Sequence, residues 1–131
     1  MKLSAIQDNL ARGLAIVGHA VATRNTLPIL SNVYLGTEDG GLRLVATNLD
    51  IAITHWVPAK VEEKGSTTIP ARLLADVVNG LPNEKIDFSL LADGRAQIKS
   101  SWNITMIFSL KRMQAKTRTE NNTSNMIFPL R

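Results

Sequence analysis

No cysteine occurs in the 131 residues, which removes disulfides, thiolate metal sites and a cysteine nucleophile, and agrees with a reducing, cytoplasmic setting. Aromatic residues are scarce, at 5%. Trp56 and Trp102 therefore have too few aromatic neighbours to form a base-stacking platform. No run of 18 apolar residues is present, and Met1-Lys2-Leu3-Ser4 opens no apolar leader, so neither a membrane span nor a signal peptide is expected. Asn103-Ile104-Thr105 is accordingly not expected to carry a glycan. An excess of charge is also missing from most of the chain. Residues 1–110 hold ten basic and ten acidic side chains, whereas 111–131 hold five basic residues and one acid, the whole net charge of +4. A basic composition thus says nothing about the body, and any case for nucleic acid must rest on placed residues.

What is present suits one folded domain. The chain is 44% hydrophobic and 20% charged, and its length buries roughly two-thirds of the unfolded surface. Ser4-Ala5-Ile6-Gln7 reads as a capping box, with Asp8 near the positive end of the helix dipole. Ile6, Leu10, Leu14 and Val17 then predict a helix from about Ala5 to Val17, stopped at Gly18. Ala22-Thr23-Arg24-Asn25-Thr26-Leu27-Pro28-Ile29-Leu30-Ser31-Asn32 is neither helical nor alternating. It reads as a fixed loop that presents one charge, Arg24, and is held by Pro28.

Strands are predicted over Asn32–Thr37, Leu42–Ala46 and Ile51–Val57. Glu38-Asp39-Gly40-Gly41 forms a hairpin turn and Asn48-Leu49-Asp50 turns the next corner. Pro58–Gly65 is polar and reads as a connecting loop. The pattern then restarts. Thr67-Thr68-Ile69 predicts a short strand, and Pro70 opens a helix with Leu73, Leu74, Val77, Val78 and Leu81 on one face, ended by Gly80 and Pro82. Ile86–Leu90, Ala96–Lys99 and Ile104–Leu110 supply strands, with Ala92-Asp93-Gly94-Arg95 as a second hairpin turn. The chain reads strand, helix, three strands, twice. The expected fold is α+β: a duplicated β-α-β-β-β unit whose two helices pack side by side on one face of antiparallel sheet.

Four segments carry a resemblance: Thr26-Leu27-Pro28-Ile29-Leu30-Ser31-Asn32, Ala46-Thr47-Asn48-Leu49-Asp50, Thr68-Ile69-Pro70-Ala71-Arg72 and Gly80-Leu81-Pro82. In this order, over residues 1–100, the chain resembles the N-terminal domain of the bacterial DNA polymerase III beta subunit, the sliding clamp. The resemblance implies a DNA clamp (processivity) fold. It also implies a non-catalytic replication factor that works by enclosing duplex DNA in a head-to-tail ring, with the replicative polymerase and the clamp loader as partners and no cofactor. It assigns DNA-facing positions to Arg24 and Arg72. Spacing alone reads Arg24 as a solvated surface charge, and leaves Arg72 free to pair with Glu62, Glu63 or Asp76.

After Lys99-Ser100 the family pattern gives way. Ser101-Trp102-Asn103 stands where the family has a glycine and a basic residue, and Lys111–Lys116 replaces an acidic junction. A truncated or frame-shifted copy is expected, with 1–110 as the clamp domain and 111–131 as a divergent, basic, disordered tail. The resemblance makes residues 104–110 the edge strand used in ring closure. Thr105, Ile107 and Ser109 share one side of it, and Ile104, Met106, Phe108 and Leu110 the other.

Other sites are not supported. His19 and His55 lack metal-ligand spacing. Asp39-Gly40-Gly41 lacks the Lys-Ser/Thr of a phosphate loop. Asp50 is a turn residue, and Tyr34 and Phe88 read as core or sheet. The alternatives to a DNA-tethering domain are a non-functional fragment, a generic α+β interaction module without a DNA role, and, third, an enzyme, for which no acid–base or nucleophile constellation appears.

Overall fold

The computed structural model describes residues 1–21, 31–101 and 104–109. The elements follow in the order β1 (Lys2–Ile6), α1 (Gln7–Val17), a 3-10 turn (Gly18–Ala20), β2 (Asn32–Glu38), β3 (Gly41–Thr47), β4 (Ala52–Glu63), β5 (Ser66–Pro70), α2 (Ala71–Asn79), β6 (Lys85–Leu90), β7 (Arg95–Ser100) and β8 (Thr105–Ser109). The unit β-α-β-β-β therefore occurs twice. All pairings are antiparallel, in the order β5-β2-β3-β4-β1-β6-β7-β8. The first strand of each unit sits with the last three of the other, since β1 pairs with β6 and β5 with β2. Neither repeat can form its half of the sheet alone.

Strand alternation decides which residues enter the core. Leu3 and Ala5 of β1, Leu42, Leu44 and Ala46 of β3, Ile86 and Phe88 of β6, and Ala96 and Ile98 of β7 point inward. Leu10, Leu14 and Val17 of α1 and Leu74 and Val78 of α2 meet them. The helix α1 lies on β3 and β4, α2 lies on β5 and β2, and the helices touch each other. At Gly13 the backbone of α1 approaches so closely that a Cβ there would stand 2.9 Å from Val57 Cγ2 and 3.0 Å from both Leu44 Cδ1 and His55 Cδ2.

Two hairpin turns form as expected from their Asp-Gly pairs. Gly40 and Gly94 both take the left-handed backbone, at φ 78° and 86°. The corner after β3 is built from side chains. Asn48 Oδ1 accepts from the N–H groups of Asp50 and Ile51, and Thr47 Oγ1 accepts from Leu49 N–H while donating to Ile51 O. This network holds Leu49 at φ 79°, a conformation side chains resist, with Leu49 63% exposed.

Three local expectations need correction. Ser4 is not a helix cap. It lies in β1, where its hydroxyl donates to Asp87 Oδ1 at 2.6 Å on the neighbouring strand. The helix starts at Gln7 without a side-chain cap, and Gln7 is buried, its amide donating to Val78 O at the far end of α2. Ile6 is the N-cap residue and is 46% exposed, so it does not belong to the helix's apolar face. Cross-strand pairing outcompeted the local capping motif.

Secondly, most of Pro58–Gly65 is strand: Pro58–Glu63 belongs to β4, and only Lys64 and Gly65 connect it to β5. Residues Ala52–Pro58 of β4 pair with β3, and Ala59–Glu63 pair with β1. Pro58 has no N–H to give and stands where the strand changes partner, a place at which proline is tolerated. Thirdly, Pro70 ends β5 and occupies the N-cap of α2 rather than its first turn. Neither Gly18 nor Gly80 stops its helix by a left-handed twist, because both keep helical backbone angles.

Candidate nucleic-acid interface

Because α1 and α2 lie against the sheet and each other, their remaining faces turn away from the sheet together. On α1 that face exposes Arg12, Ala15 and Ile16, with Asp8 half-buried at its start; on α2 it exposes Arg72, Asp76 and Asn79. Arg12 Nη2 meets Asp8 Oδ2 at 2.6 Å, one helical turn away. Arg72, on the first turn of α2, forms no ion pair with Glu62, Glu63 or Asp76. Glu62 instead faces Lys2 at 3.9 Å. Among the described residues, Arg72 and Asp76 are thus both without an ion pair, on a helical surface whose two arginines and two aspartates balance.

Such a surface suits weak, screened attraction to phosphates and is unfit for acid–base chemistry. Its charged groups stand in water, and among the described residues no three His, Asp or Glu side chains are close enough to hold a metal ion. His19 is exposed, while His55 is half-buried beneath Gly13 of α1. Asp50 sits in the corner after β3, and Tyr34 and Phe88 are buried in the sheet. Arg24 lies outside the described residues, as do Trp102, Leu110 and the tail from 111.

At the far edge, among the described residues, β8 pairs only with β7. Thr105 stands opposite Lys99 and Ile107 opposite Gln97, whereas Met106 stands opposite the buried Ile98. Opposed residues share a face, so Thr105 and Ile107 lie on the outer side. Ile107 is 49% exposed.

Sequence reasoning passed over Arg12, whose spacing from Asp8 was a readable signal. It also missed a polar row on the outer face, from Trp56 through Glu38 and Arg43 to Tyr34. Register, which the sequence does not print, brings those four together.

The family model for the DNA polymerase III beta subunit, N-terminal domain, matches residues 1–117. The chain belongs to this family. The beta sliding clamp of Synechocystis sp. is 40% identical over 98 residues, covering 73% of this chain and 25% of that protein. The beta sliding clamp of Vibrio harveyi is 36% identical over 101 residues, covering 76% of this chain and 70% of the other. Among solved structures, the DNA polymerase sliding clamp of Caulobacter crescentus superimposes with a TM-score of 0.77 at 32% identity, over 83% of this chain and 30% of that one. The sliding clamp of Bacillus subtilis does so with a TM-score of 0.77 at 24% identity, over 82% of this chain and 30% of its own. That second likeness speaks for the fold alone. The clamp fold expected from the sequence is therefore the fold found. The chain spans a quarter of the Synechocystis protein and under a third of each solved clamp. The family match runs past residue 100, where the quoted segments end, and takes in β8.

Proposed function

We propose that this chain is a clamp domain for duplex DNA: a non-catalytic, cytoplasmic element of replication that keeps a polymerase on its template by enclosure rather than grip. The observation that carries this reading is the helical surface. Among the described residues it carries two arginines against two aspartates, pairs only Arg12 with Asp8, and shows no dense basic patch. A surface that must move along DNA should neutralise few phosphates, because each one held releases counterions and steepens the salt dependence. Arg24, which precedes β2 in the sequence, joins Arg72 as a phosphate contact in this reading. Membership of the clamp family supports the further partners, a replicative polymerase and a clamp loader. It also supports ring closure through β8, with Thr105 and Ile107 at the joint. Residues 118–131 lie beyond the family match.

Among the described residues no helix is long and apolar enough to cross a membrane. The test is duplex binding against salt. In an assembled clamp, Arg24→Ala and Arg72→Ala should each lower the slope of log K against log salt by about 0.9. The assembled ring should stay on circular duplex and leave linear duplex by its ends. Equal retention on both, or unchanged slopes in both variants, overturns the proposal.

A further inference from the structure

The sheet face opposite the helices holds a feature that DNA enclosure does not use. On β3, Leu42 and Leu44 enter the core, so Arg43 points outward, opposite Gly36 of β2 and Trp56 of β4. Tyr34 lies over Gly36, where a Cβ would collide with the phenol oxygen. The Arg43 guanidinium carbon sits 5.5 Å from the centre of the Tyr34 ring. Glu38 fixes the other side. One carboxylate oxygen is 3.1 Å from Arg43 Nε, and the other accepts the Trp56 indole N–H at 2.9 Å.

Arg43 is thereby held in one pose, its side chain only 21% exposed. Its Nε faces Glu38 at an angle that makes no hydrogen bond, and neither terminal NH2 group donates to a described residue. These groups border an open groove of about 490 Å³, lined also by Thr37, Lys64, Gly65 and Ser66. Lys64 is exposed and has no ion-pair partner among the described residues. With Arg43 and Lys64 against Glu38, the groove carries one surplus positive charge. A mostly buried guanidinium with spare donors calls for a planar, bidentate acceptor. A carboxylate supplies that geometry, and the surplus charge favours an acidic ligand.

We propose that this groove receives a carboxylate carried on an extended, acidic peptide segment of a partner protein. The carboxylate lies across the terminal nitrogens of Arg43 with Lys64 beside it. The groove is far larger than one carboxylate, which leaves room for main chain, and the half-exposed face of Trp56 next to it offers an apolar platform for a flanking residue. DNA on the helical surface would lie on the other side of the sheet, so this site is independent of the clamp reading.

The experiment is calorimetric titration of the full chain with hexaglutamate blocked at both ends, set against hexaglutamine, acetate and inorganic phosphate. Hexaglutamate should bind and hexaglutamine should not. Arg43→Lys, which keeps the charge but loses the fork, should weaken binding about tenfold or more. Lys64→Ala should weaken it severalfold. Because Arg43 packs on Tyr34, the thermal midpoint of Arg43→Lys is measured alongside; Lys64 is exposed at the surface, and its variant tests the groove even if Arg43→Lys unfolds. No binding of hexaglutamate at millimolar concentration, equal binding by both variants, or acetate or phosphate binding as tightly as the peptide would each overturn the proposal.

Discussion

The two repeats share an order of elements but differ in how their helices meet the sheet. In α1, Leu10 and Leu14 are buried and Gly13 lets the backbone settle against Leu44, His55 and Val57. Aligning the buried leucines of the two helices, Leu10 on Leu74, places Val77 of α2 where α1 has Gly13. Val77 is half-buried. One helix therefore gains its contact by close approach, and the other by a larger side chain. A duplicated plan thus tolerates unlike packing, provided each helix keeps one apolar stripe.

The stripe itself should be the most costly thing to damage. Leu10→Ala and Leu74→Ala both empty fully packed positions, so each should lower the unfolding free energy by about 2–5 kcal/mol. Urea titration measures this. Near-equal losses would show the repeats to be energetically equivalent; a much smaller loss in one would identify the helix that can relax into its cavity.

Next in size is the difference between the helices. Gly13→Val places methyl groups where a single Cβ already stands 2.9 Å from Val57. Overpacking should cost about 1–3 kcal/mol, with the β-branched side chain unable to bend away. The reverse change in the other repeat, Val77→Ala, removes partly exposed methyls and should cost less. A thermal midpoint for Val77→Ala below that of Gly13→Val would break the comparison.

Much of this was readable in advance, and the failures have a physical pattern. Alternation in β3, β6 and β7 and the Asp39-Gly40 and Asp93-Gly94 turns stated their own roles, since each depends on neighbours in sequence. The start of α1 did not. Ser4 and Gln7 form a sound capping motif until β6 and the end of α2 offer Asp87 and Val78 O as better partners. Pro58–Gly65 looked like a loop because its polar residues face water on a strand that changes partner midway. At the interface, Arg72 could be placed on its helix turn, but whether an acid would claim it depended on tertiary distance. The outer row of Arg43, Glu38, Trp56 and Tyr34 was unreadable for the same reason: it exists only once register is set.

Backbone strain gives the third comparison. Gly40 and Gly94 hold matching left-handed positions in the two hairpins, so alanine at either should cost about 1–2 kcal/mol. Leu49 holds such a position in the first repeat with an exposed leucine. Leu49→Gly should relieve the strain and leave stability unchanged or raised by up to about 1 kcal/mol, the greater chain entropy of glycine offsetting part of the gain. A clear loss in Leu49→Gly would mean that its side chain makes a contact worth more than the strain.

The smallest effect concerns charge order along the helices. In α1 the acid precedes the base, Asp8 then Arg12, and the pair forms; in α2 the base precedes the acid, Arg72 then Asp76, and it does not. The first order agrees with the helix dipole, which welcomes an acid near the start; the second sets a cation against the positive end. Both side chains of the α1 pair are more than half exposed, so Arg12→Ala should cost only about 0.3–0.5 kcal/mol. Arg72→Ala should cost nothing, or stabilise slightly. Chemical denaturation at low and high salt checks both: the Arg12 loss should shrink with salt, and an equal, salt-sensitive loss in Arg72→Ala would reveal a partner. On this account Arg72 stands at a position unfavourable to its own helix, which fits the phosphate contact proposed for it.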